Sequence, residues 1–156
     1  MKQRFSTRTR LVSALLTLAM VFTFLPVSAF AATDGYGPVY ISDTTFPDET
    51  FQNYVKQFDT NNNGTLSPEE RYKVAEIDVE SKNISNLFGI QFFPNLKNLN
   101  CADNNLTSLD VSENTVLAEL WCYGNQLTEL DVSKNTKLKK LRCQKNQLTS
   151  LDVSKN

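Results

Sequence analysis

The feature that most constrains this chain is a pattern that repeats every 21 residues. Three successive units run from Leu96 to Asn114, from Leu117 to Asn135 and from Leu138 to Asn156. Leucine, cysteine, valine and asparagine return at fixed places in each unit, whereas most residues between them vary. A fixed period with apolar anchors predicts a solenoid, in which each unit buries its apolar face against its neighbours.

Each unit contains a short alternation that predicts a β-strand. In the first unit, Leu99 and Cys101 alternate with Asn98, Asn100 and Ala102, so that the two sets point to opposite faces. Stacked units would pair these strands in parallel and place the leucine and cysteine columns in the core. The asparagine column that follows the strands is expected to bond backbone groups of its own turn and of the neighbouring coil. Its members are Asn104, Asn125 and Asn146.

A less regular coil precedes the three units. Its apolar residues match the repeat anchors at a step of 22 instead of 21, and Lys82 stands where the repeats have asparagine. These residues are Val74, Ile77, Val79, Ile84 and Leu87. An atypical terminal repeat is expected of a solenoid, so we assign residues 75–156 to the repeat domain. The last unit reaches Asn156 without an atypical capping repeat, and we therefore expect a C-terminal cap to be missing and the chain to be a fragment.

A calcium-binding pattern lies upstream of the repeats. The stretch from Asp59 to Glu70 fits D-x-[DN]-x-[DN]-G-x5-E at every specified place. Helical patterns flank it, over Pro47–Phe58 and Pro68–Ala75, and the second begins with a capping box. We therefore predict an EF-hand-like helical cap over residues 45–74, with weak calcium affinity of roughly 10⁻⁴ to 10⁻³ M. The predicted ligands are Asp59, Asn61, Asn63, Thr65, Ser67 and Glu70. The alternative is a polar turn between two helices, rich in asparagine because asparagine tolerates turn conformations.

The N-terminus predicts a secretory signal peptide over residues 1–31. A basic start is followed by an apolar run from Leu11 to Leu25 and by small residues before a cut after Ala31 or Ala32. The apolar run is shorter than the roughly 20 residues that a membrane span needs. Residues 32–44 then form a lead segment rich in Gly, Pro, Ser and Thr, which we expect to be exposed.

Removal of the signal makes the chain acidic. The full sequence has 16 basic and 17 acidic residues, and the signal takes away four basic residues, which leaves 12 against 17 and a net charge of −5. An acidic secreted chain is a poor nucleic-acid binder. No later stretch is apolar enough to span a membrane, so after signal removal we expect a secreted or cell-surface protein.

The three cysteines occupy one inward column of the repeat. Cys101, Cys122 and Cys143 stand where a small buried apolar side chain would fit, so we expect core thiols. Disulfides between neighbouring coils are the alternative, since the strand spacing alone does not forbid them. A zinc site is less favoured, because thiols in a straight ladder do not surround an ion tetrahedrally.

The pattern Leu-x-x-Leu-x-Cys-x-x-Asn-x-Leu resembles the leucine-rich repeat of bacterial cell-surface proteins. With its EF-hand-like cap before the first repeat, the chain resembles the internalin-like proteins over about residues 45–156. The resemblance implies an α/β fold, with a curved parallel sheet lining a horseshoe behind a small helical cap. It also implies a binding protein and transfers no catalytic residue.

Function is expected on the exposed sheet face. The strand positions that vary between units line this face, which is the usual binding surface of a solenoid. Tryptophan, tyrosine and arginine, which are enriched at interface hot spots, occur together there. The predicted ligand-binding residues are Glu119, Trp121, Tyr123, Lys140, Arg142 and Gln144.

Two functions follow from this sequence. The first is a secreted or surface-displayed module that binds a protein or a glycan. The alternative is a non-binding structural spacer of a longer cell-surface protein. An enzyme is not predicted, because the chain has no histidine, no Gly-x-Ser-x-Gly pattern and no phosphate-binding loop.

Overall fold

The repeats form a parallel sheet of four short strands. The computed structural model describes residues 37–156. Its strands are β3 (Glu76–Asp78), β4 (Asn98–Asn100), β5 (Glu119–Trp121) and β6 (Lys140–Arg142), paired in that order. Ile77, Leu99, Leu120 and Leu141 are direct partners across the sheet. The degenerate coil is therefore part of the same stack as the three regular units.

The core lies between the sheet and the return path of each coil. The inward columns are almost fully buried in the first coils: Leu99, Leu120, Cys101 and Cys122 are all at most 2% exposed. Exposure rises along the stack, and Leu151 and Val153 in the last coil are 39% and 50% exposed. Each coil therefore depends on the next one to bury its apolar side chains.

The asparagine column behaves as the sequence predicts. Asn104 donates through Nδ2 to the carbonyls of Val79, Cys101 and Ala102, and its Oδ1 accepts from the backbone N–H of Ile84. Asn125 and Asn146 repeat this arrangement one and two coils further on. These amides satisfy backbone groups that would otherwise be buried without partners.

A second asparagine column lies on the return path. Asn114 donates to the carbonyls of Ile90 and Phe93, and Asn135 donates to those of Val111 and Asn114. Asn156 repeats the contact. In the sequence these residues stand out only as part of the repeating pattern, whereas in the structure they tie successive coils together.

The cap contains two short helices. Helix α1 covers Glu49–Val55 and continues as a 3₁₀ turn over Lys56–Phe58, and helix α2 covers Pro68–Lys73. The predicted start of the first helix is two residues too early, because Asp48 is the N-cap and accepts from the N–H groups of Thr50 and Phe51. The predicted capping box of α2 is confirmed, with Ser67 and Glu70 bonded reciprocally.

Most of the described part of the predicted lead segment, residues 37–44, is exposed as expected, but the segment also contains a short strand with one buried residue. Val39 and Tyr40 form strand β1, which pairs antiparallel with strand β2 (Thr65–Leu66) inside the calcium-type loop. Val39 is only 6% exposed. The sequence shows no period here, because a two-residue strand is too short to create one.

Polar and aromatic contacts join the cap to the first coil. Asp48 accepts from the N–H and the hydroxyl of Ser85 in that coil. The fully buried Arg71 donates to the carbonyls of Gly37 and Phe92. The ring of Phe46 packs against those of Phe51, Phe92 and Phe93 at centroid distances of 5.8, 6.0 and 6.5 Å. The cap therefore closes the apolar end of the solenoid.

The predicted signal, residues 1–31, lies outside the described residues. Among residues 37–156, no helix is long and apolar enough to cross a membrane.

Candidate functional site

The exposed sheet face carries an aromatic and charged cluster on β5 and β6. The guanidinium carbon of Arg142 lies 4.7 Å from the ring centroid of Trp121, which is a cation–π geometry. Beside it, Lys140 Nζ lies 2.8 Å from Glu119 Oε1. The side chain of Lys140 is 64% exposed and that of Glu119 is 31% exposed, so solvent screens this ion pair. The structure thus brings four of the six predicted binding residues together on neighbouring strands.

Tyr123 is anchored across two coils. Its hydroxyl donates to Glu80 Oε1 at 2.7 Å, and Asn100 Nδ2 donates to Glu80 Oε2 at 2.9 Å. The hydrogen bond to Glu80 raises the pKa of Tyr123, and the same bond, with that from Asn100, lowers the pKa of Glu80. Both ends of the contact are therefore held in the protonation states that make it.

The hydrogen bond between Tyr123 and Glu80 corrects the expectation for Ala102 and adds Glu80 to the candidate site. Ala102 is predicted to line the exposed face but is fully buried, because Tyr123 reaches over its coil to Glu80. Glu80 is missed as a site residue, although the step of 22 places it in the same outward column as Ala102. Gln144 is exposed and lies beyond the end of β6, where it belongs to the same column as Tyr123.

A shallow hollow lies beside the cluster, between β3, β4 and β5. Its volume is about 100 Å³. Charged and amide side chains surround it, and Trp121 forms one wall. The indole Nε1 of Trp121 is buried and has no hydrogen-bond acceptor among the described residues. The residues that line the hollow are Glu76, Ile77, Asp78, Asn98, Leu99, Asn100, Glu119 and Trp121.

The second candidate site is the loop from Asp59 to Glu70. Asp59 accepts from the N–H groups of Asn63 and Gly64, one at each carboxylate oxygen. Asn61 Oδ1 also accepts from Asn63 N–H, and Asn63 Oδ1 accepts from the N–H and hydroxyl of Thr65. Gly64 has a φ of +79°, which gives the loop its sharp turn. The side-chain oxygens at alternate loop positions are thus already turned toward the inside of the loop.

Glu70 closes this loop from its far end. Oε1 accepts from the N–H and hydroxyl of Thr60, and Oε2 accepts from the N–H and hydroxyl of Ser67. Burial opposes ionisation of this carboxyl, but the bonds from Ser67 and Thr60 outweigh it and lower its pKa to about 2. Glu70 is therefore ionised at neutral pH, as a calcium ligand must be.

The remaining acceptor capacity of the loop can be counted. Each oxygen of Asp59 and the Oδ1 of Asn61 accept one bond, so each retains a lone pair. Asn63 Oδ1 and both oxygens of Glu70 accept two bonds each, of which one comes from a rotatable hydroxyl. Rotation of the three hydroxyls would leave each of these oxygens with one backbone hydrogen bond and one free acceptor site. Across the described part of the chain, no group of three or more Cys, Asp or Glu side chains is arranged to hold a metal ion, and this loop contributes only two carboxylates.

Comparisons with known proteins favour one kind of fold and one kind of protein. No family model matches the chain. Internalin J of Listeria monocytogenes serotype 4b (strain F2365) is 40% identical over 71 residues, which cover 45% of this chain and 8% of that protein. A solved domain of InlJ from Listeria monocytogenes has a TM-score of 0.69 and 38% identity, and the match covers 76% of this chain and 26% of that one.

Two further solved internalins share the fold. Internalin C2 of Listeria monocytogenes has a TM-score of 0.65 at 26% identity, over 77% of this chain and 54% of its own. Internalin InlF of the same species has a TM-score of 0.65 at 22% identity, over 79% of this chain and 36% of its own. At this identity the similarity supports a shared fold and nothing more. The chain has an internalin-like leucine-rich repeat fold. It spans between 8% and 54% of the length of these proteins.

The cysteine column links this internalin-like chain to one of its relatives. The solved InlJ domain is described as including a cysteine ladder. In this chain Cys101, Cys122 and Cys143 are unpaired, and the first two are buried, so the expectation of core thiols is confirmed for them. Burial raises the pKa of Cys101, and burial with the neighbouring Cys143 raises that of Cys122 to about 12. Cys143 is half-buried, because its coil is less covered.

Proposed function

We propose that the chain is a secreted or surface-displayed binding module, which recognises a protein or a glycan through its exposed sheet face. The observation that carries the proposal is the stacking of Arg142 on Trp121, 4.7 Å from the ring centroid, on a face that is otherwise polar. Solenoids use their extended sheet face for binding, and tryptophan, tyrosine and arginine dominate hot spots. A non-enzymatic role is part of this proposal.

The rigidity of the cluster supports the same function. Tyr123 is tied to Glu80, and Trp121 is covered on one side by Arg142. Side chains that are already ordered lose little conformational entropy when a ligand binds. A spacer would need no such anchored aromatic pair on its exposed face, so the arrangement does not favour the spacer alternative.

The test is Trp121→Ala, measured on a glycan array and against cell-surface protein preparations, beside the unaltered 156-residue chain. Truncation of a hot-spot residue is expected to weaken binding by about 30-fold or more. Tyr40→Ala is the matched control, because Tyr40 is an aromatic residue that is 70% exposed and lies in the cap, away from the sheet face. Equal binding by all three proteins would mean that the sheet face around Trp121 is not the binding surface, and no binding by the unaltered chain would support the spacer.

We also propose that the loop from Asp59 to Glu70 binds calcium and stabilises the cap. The proposal rests on the matching of donor types to loop positions and on the hydroxyl bonds that can be exchanged for metal bonds. The ligands would be Asp59, Asn61, Asn63, the carbonyl of Thr65, a water held by Ser67, and Glu70. Two charged ligands predict millimolar or slightly tighter affinity.

Calorimetric titration with calcium tests this second proposal. Heat of binding is expected at millimolar calcium, and Asp59→Ala should remove it. Glu69→Gln is the matched control, since Glu69 is an exposed carboxylate of the same loop that is not a predicted ligand. Absence of heat in the unaltered chain, or equal heat in the Asp59 variant, would refute the site.

Secretion is the third part of the proposed function. Expression of the full chain in a bacterium that secretes proteins is expected to give an extracellular product. Its first residue, determined by N-terminal sequencing, should follow Ala31 or Ala32. A product that keeps Met1 and stays inside the cell would contradict secretion without affecting the binding proposal.

A further inference from the structure

Charge changes sign from one side of the sheet face to the other. The outward positions of the first coil are acidic: Glu76, Asp78 and Glu80. The outward residues of β4, Asn98 and Asn100, are neutral, and β5 adds Glu119 beside Trp121. The last strand presents Lys140 and Arg142, both of which are exposed. The face is therefore polarised across the strands, from negative at β3 to positive at β6.

The charges at the two edges are accessible to a partner. Glu76 and Asp78 are exposed and form no ion pair among residues 37–156. At the other edge, Arg142 lies over Trp121, and Lys140 makes only a screened surface pair. Glu80 is different, because its two oxygens are occupied by Tyr123 and Asn100. Free charge thus remains at both edges, whereas the middle of the face is internally bonded.

The distance between the two edges sets the length of the ligand. Three steps between neighbouring strands, each about 4.8 Å, separate β3 from β6 by about 14 Å. An extended polypeptide advances about 3.3 Å per residue, so about four residues cover this distance. The hollow of about 100 Å³ beside Trp121 adjoins Glu76 and Asp78 at the acidic edge and can receive one small side chain.

We propose that the occupant of the sheet face is an extended segment of a protein partner, with a basic residue over Glu76 and Asp78 and an acidic residue about four positions away over Lys140 and Arg142. This inference rests on the proposed function and chooses a protein over a glycan as the ligand. Opposite charges at the two ends of one short segment occur readily in a polypeptide. An uncharged glycan gains no charge pairing at either edge, and a uniformly anionic polymer is repelled by β3.

Four blocked nonapeptides test this arrangement by calorimetry or fluorescence anisotropy. The first has separated charges, Ser-Lys-Lys-Ala-Leu-Ala-Glu-Glu-Ser. The second has the same composition with the charges mixed, Ser-Lys-Glu-Ala-Leu-Ala-Glu-Lys-Ser. The third carries lysines at both ends and the fourth carries glutamates at both ends. The unaltered 156-residue chain is expected to bind the first peptide at least about ten times more tightly than each of the others.

Reversing the charge of one edge of the protein should change which of the four peptides it prefers. The double variant E76K/D78K is expected to prefer the peptide with glutamates at both ends, and K140E/R142E the peptide with lysines at both ends. Each switch should be about ten-fold and should weaken as salt is raised. Far-ultraviolet circular dichroism checks the fold of each variant, and E76Q/D78N replaces the first double variant if that one does not fold.

Two results would overturn the inference. One is equal affinity of the unaltered chain for the first and second peptides, including the absence of binding to either. The other is a switch at one edge only, which would mean a simple cation or anion site. Neither result affects the proposed function, which fails separately if Trp121→Ala changes binding to no glycan or protein.

Discussion

The loop from Asp59 to Glu70 and the stack of repeats satisfy their buried polar groups over different distances along the chain. In the loop, the side chain of Asp59 bonds Asn63 and Gly64, and that of Glu70 bonds Thr60, so that none of these side-chain partners is more than 10 residues away. In the stack, Asn125 bonds the carbonyl of Cys101, which lies 24 residues away in the preceding coil. These side chains therefore bond within the loop, although its strand β2 pairs with β1, whereas each coil is completed by its neighbour.

This difference has a consequence for cooperativity. Damage to the loop should remain in the cap, because few of its hydrogen bonds leave it. Damage to a middle coil removes partners from two coils at once, as expected of a chain of nearest-neighbour interfaces. The cap and the stack should therefore respond differently to substitution, to pH and to thiol reagents.

The largest effect is expected from Asn125→Ala in the middle of the stack. Three carbonyls lose one of their donors and the N–H of Leu106 loses its acceptor, and three of these four bonds are buried. The free energy of unfolding should fall by about 2 to 4 kcal/mol, measured by urea denaturation. Asn105→Ala, at an exposed position of the preceding coil, should change the free energy of unfolding by less than about 0.5 kcal/mol. Equal effects of the two substitutions would mean that the column does not hold the coils together.

The next effect concerns the pH dependence of the loop. The pKa of Glu70 is lowered to about 2 from 4.5, so its ionised form stabilises the fold above pH 4.5, and this contribution is lost as the pH falls toward 2. The loss should be at most about 3 kcal/mol, which is the free energy that corresponds to this lowering of the pKa of a buried carboxyl.

Glu70→Gln isolates this contribution from those of other carboxyls, such as Asp48, whose pKa is also lowered. Unfolding in urea at a series of pH values should show the unaltered chain more stable than the variant above pH 5. The difference should close between pH 4.5 and pH 2. A constant difference over that range would show that the charge of Glu70 does not hold the loop.

A smaller effect is expected from Gly64→Ala in the loop. The φ of +79° costs a residue with a side chain about 1 kcal/mol, although no heavy atom lies within 4 Å of the added Cβ. Gly37→Ala is the matched control, because it has the same free space and no positive φ. Thermal unfolding should therefore show a lower Tm for the Gly64 variant alone. A larger loss would indicate that the loop and the stack unfold together.

The thiols should reveal the order of burial along the stack with little effect on stability. Cys143 is half-buried, whereas burial raises the pKa of Cys122 to about 12 and suppresses its reactive thiolate. In the native chain, an aromatic disulfide reagent at pH 8 should modify Cys143 at least about ten times faster than Cys101 and Cys122. Cys143→Ala should remove the fast phase. Three equal rates would mean that the middle coils open as readily as the last one.

Much of the stack follows from the spacing of its residues. Leu99, Leu120 and Leu141 are partners in the sheet, and Asn104 bonds its turn and the neighbouring coil as its repeating position suggests. Leucine-rich repeats are predictable in this way because each coil sees the same environment. Irregular segments lack this repetition, which is why the spacing of residues does not predict the pairing of Val39 with Leu66.

The candidate sites divide in the same manner. The loop can be identified from the sequence because its oxygen-bearing side chains lie at alternate positions within one short stretch, in the order of a calcium-binding loop. Trp121 and Arg142 could be predicted as site residues because alternate residues of a strand point outward. The role of Glu80 and the burial of Ala102 do not follow from this alternation. These two depend on how far the Tyr123 side chain reaches across the coils, and a spacing rule does not contain that information.

The sequence by itself determined the solenoid, its inward columns and the order of donors in the loop, because each of these depends on periodicity or on local spacing. The tertiary structure alone decided which polar groups of the sheet face remain available to a ligand. It tied Tyr123 to Glu80, placed Arg142 over Trp121 and left charge free at the two edges of the sheet. The reason is that availability depends on contacts between residues about 20 to 40 positions apart, which form only when the coils stack.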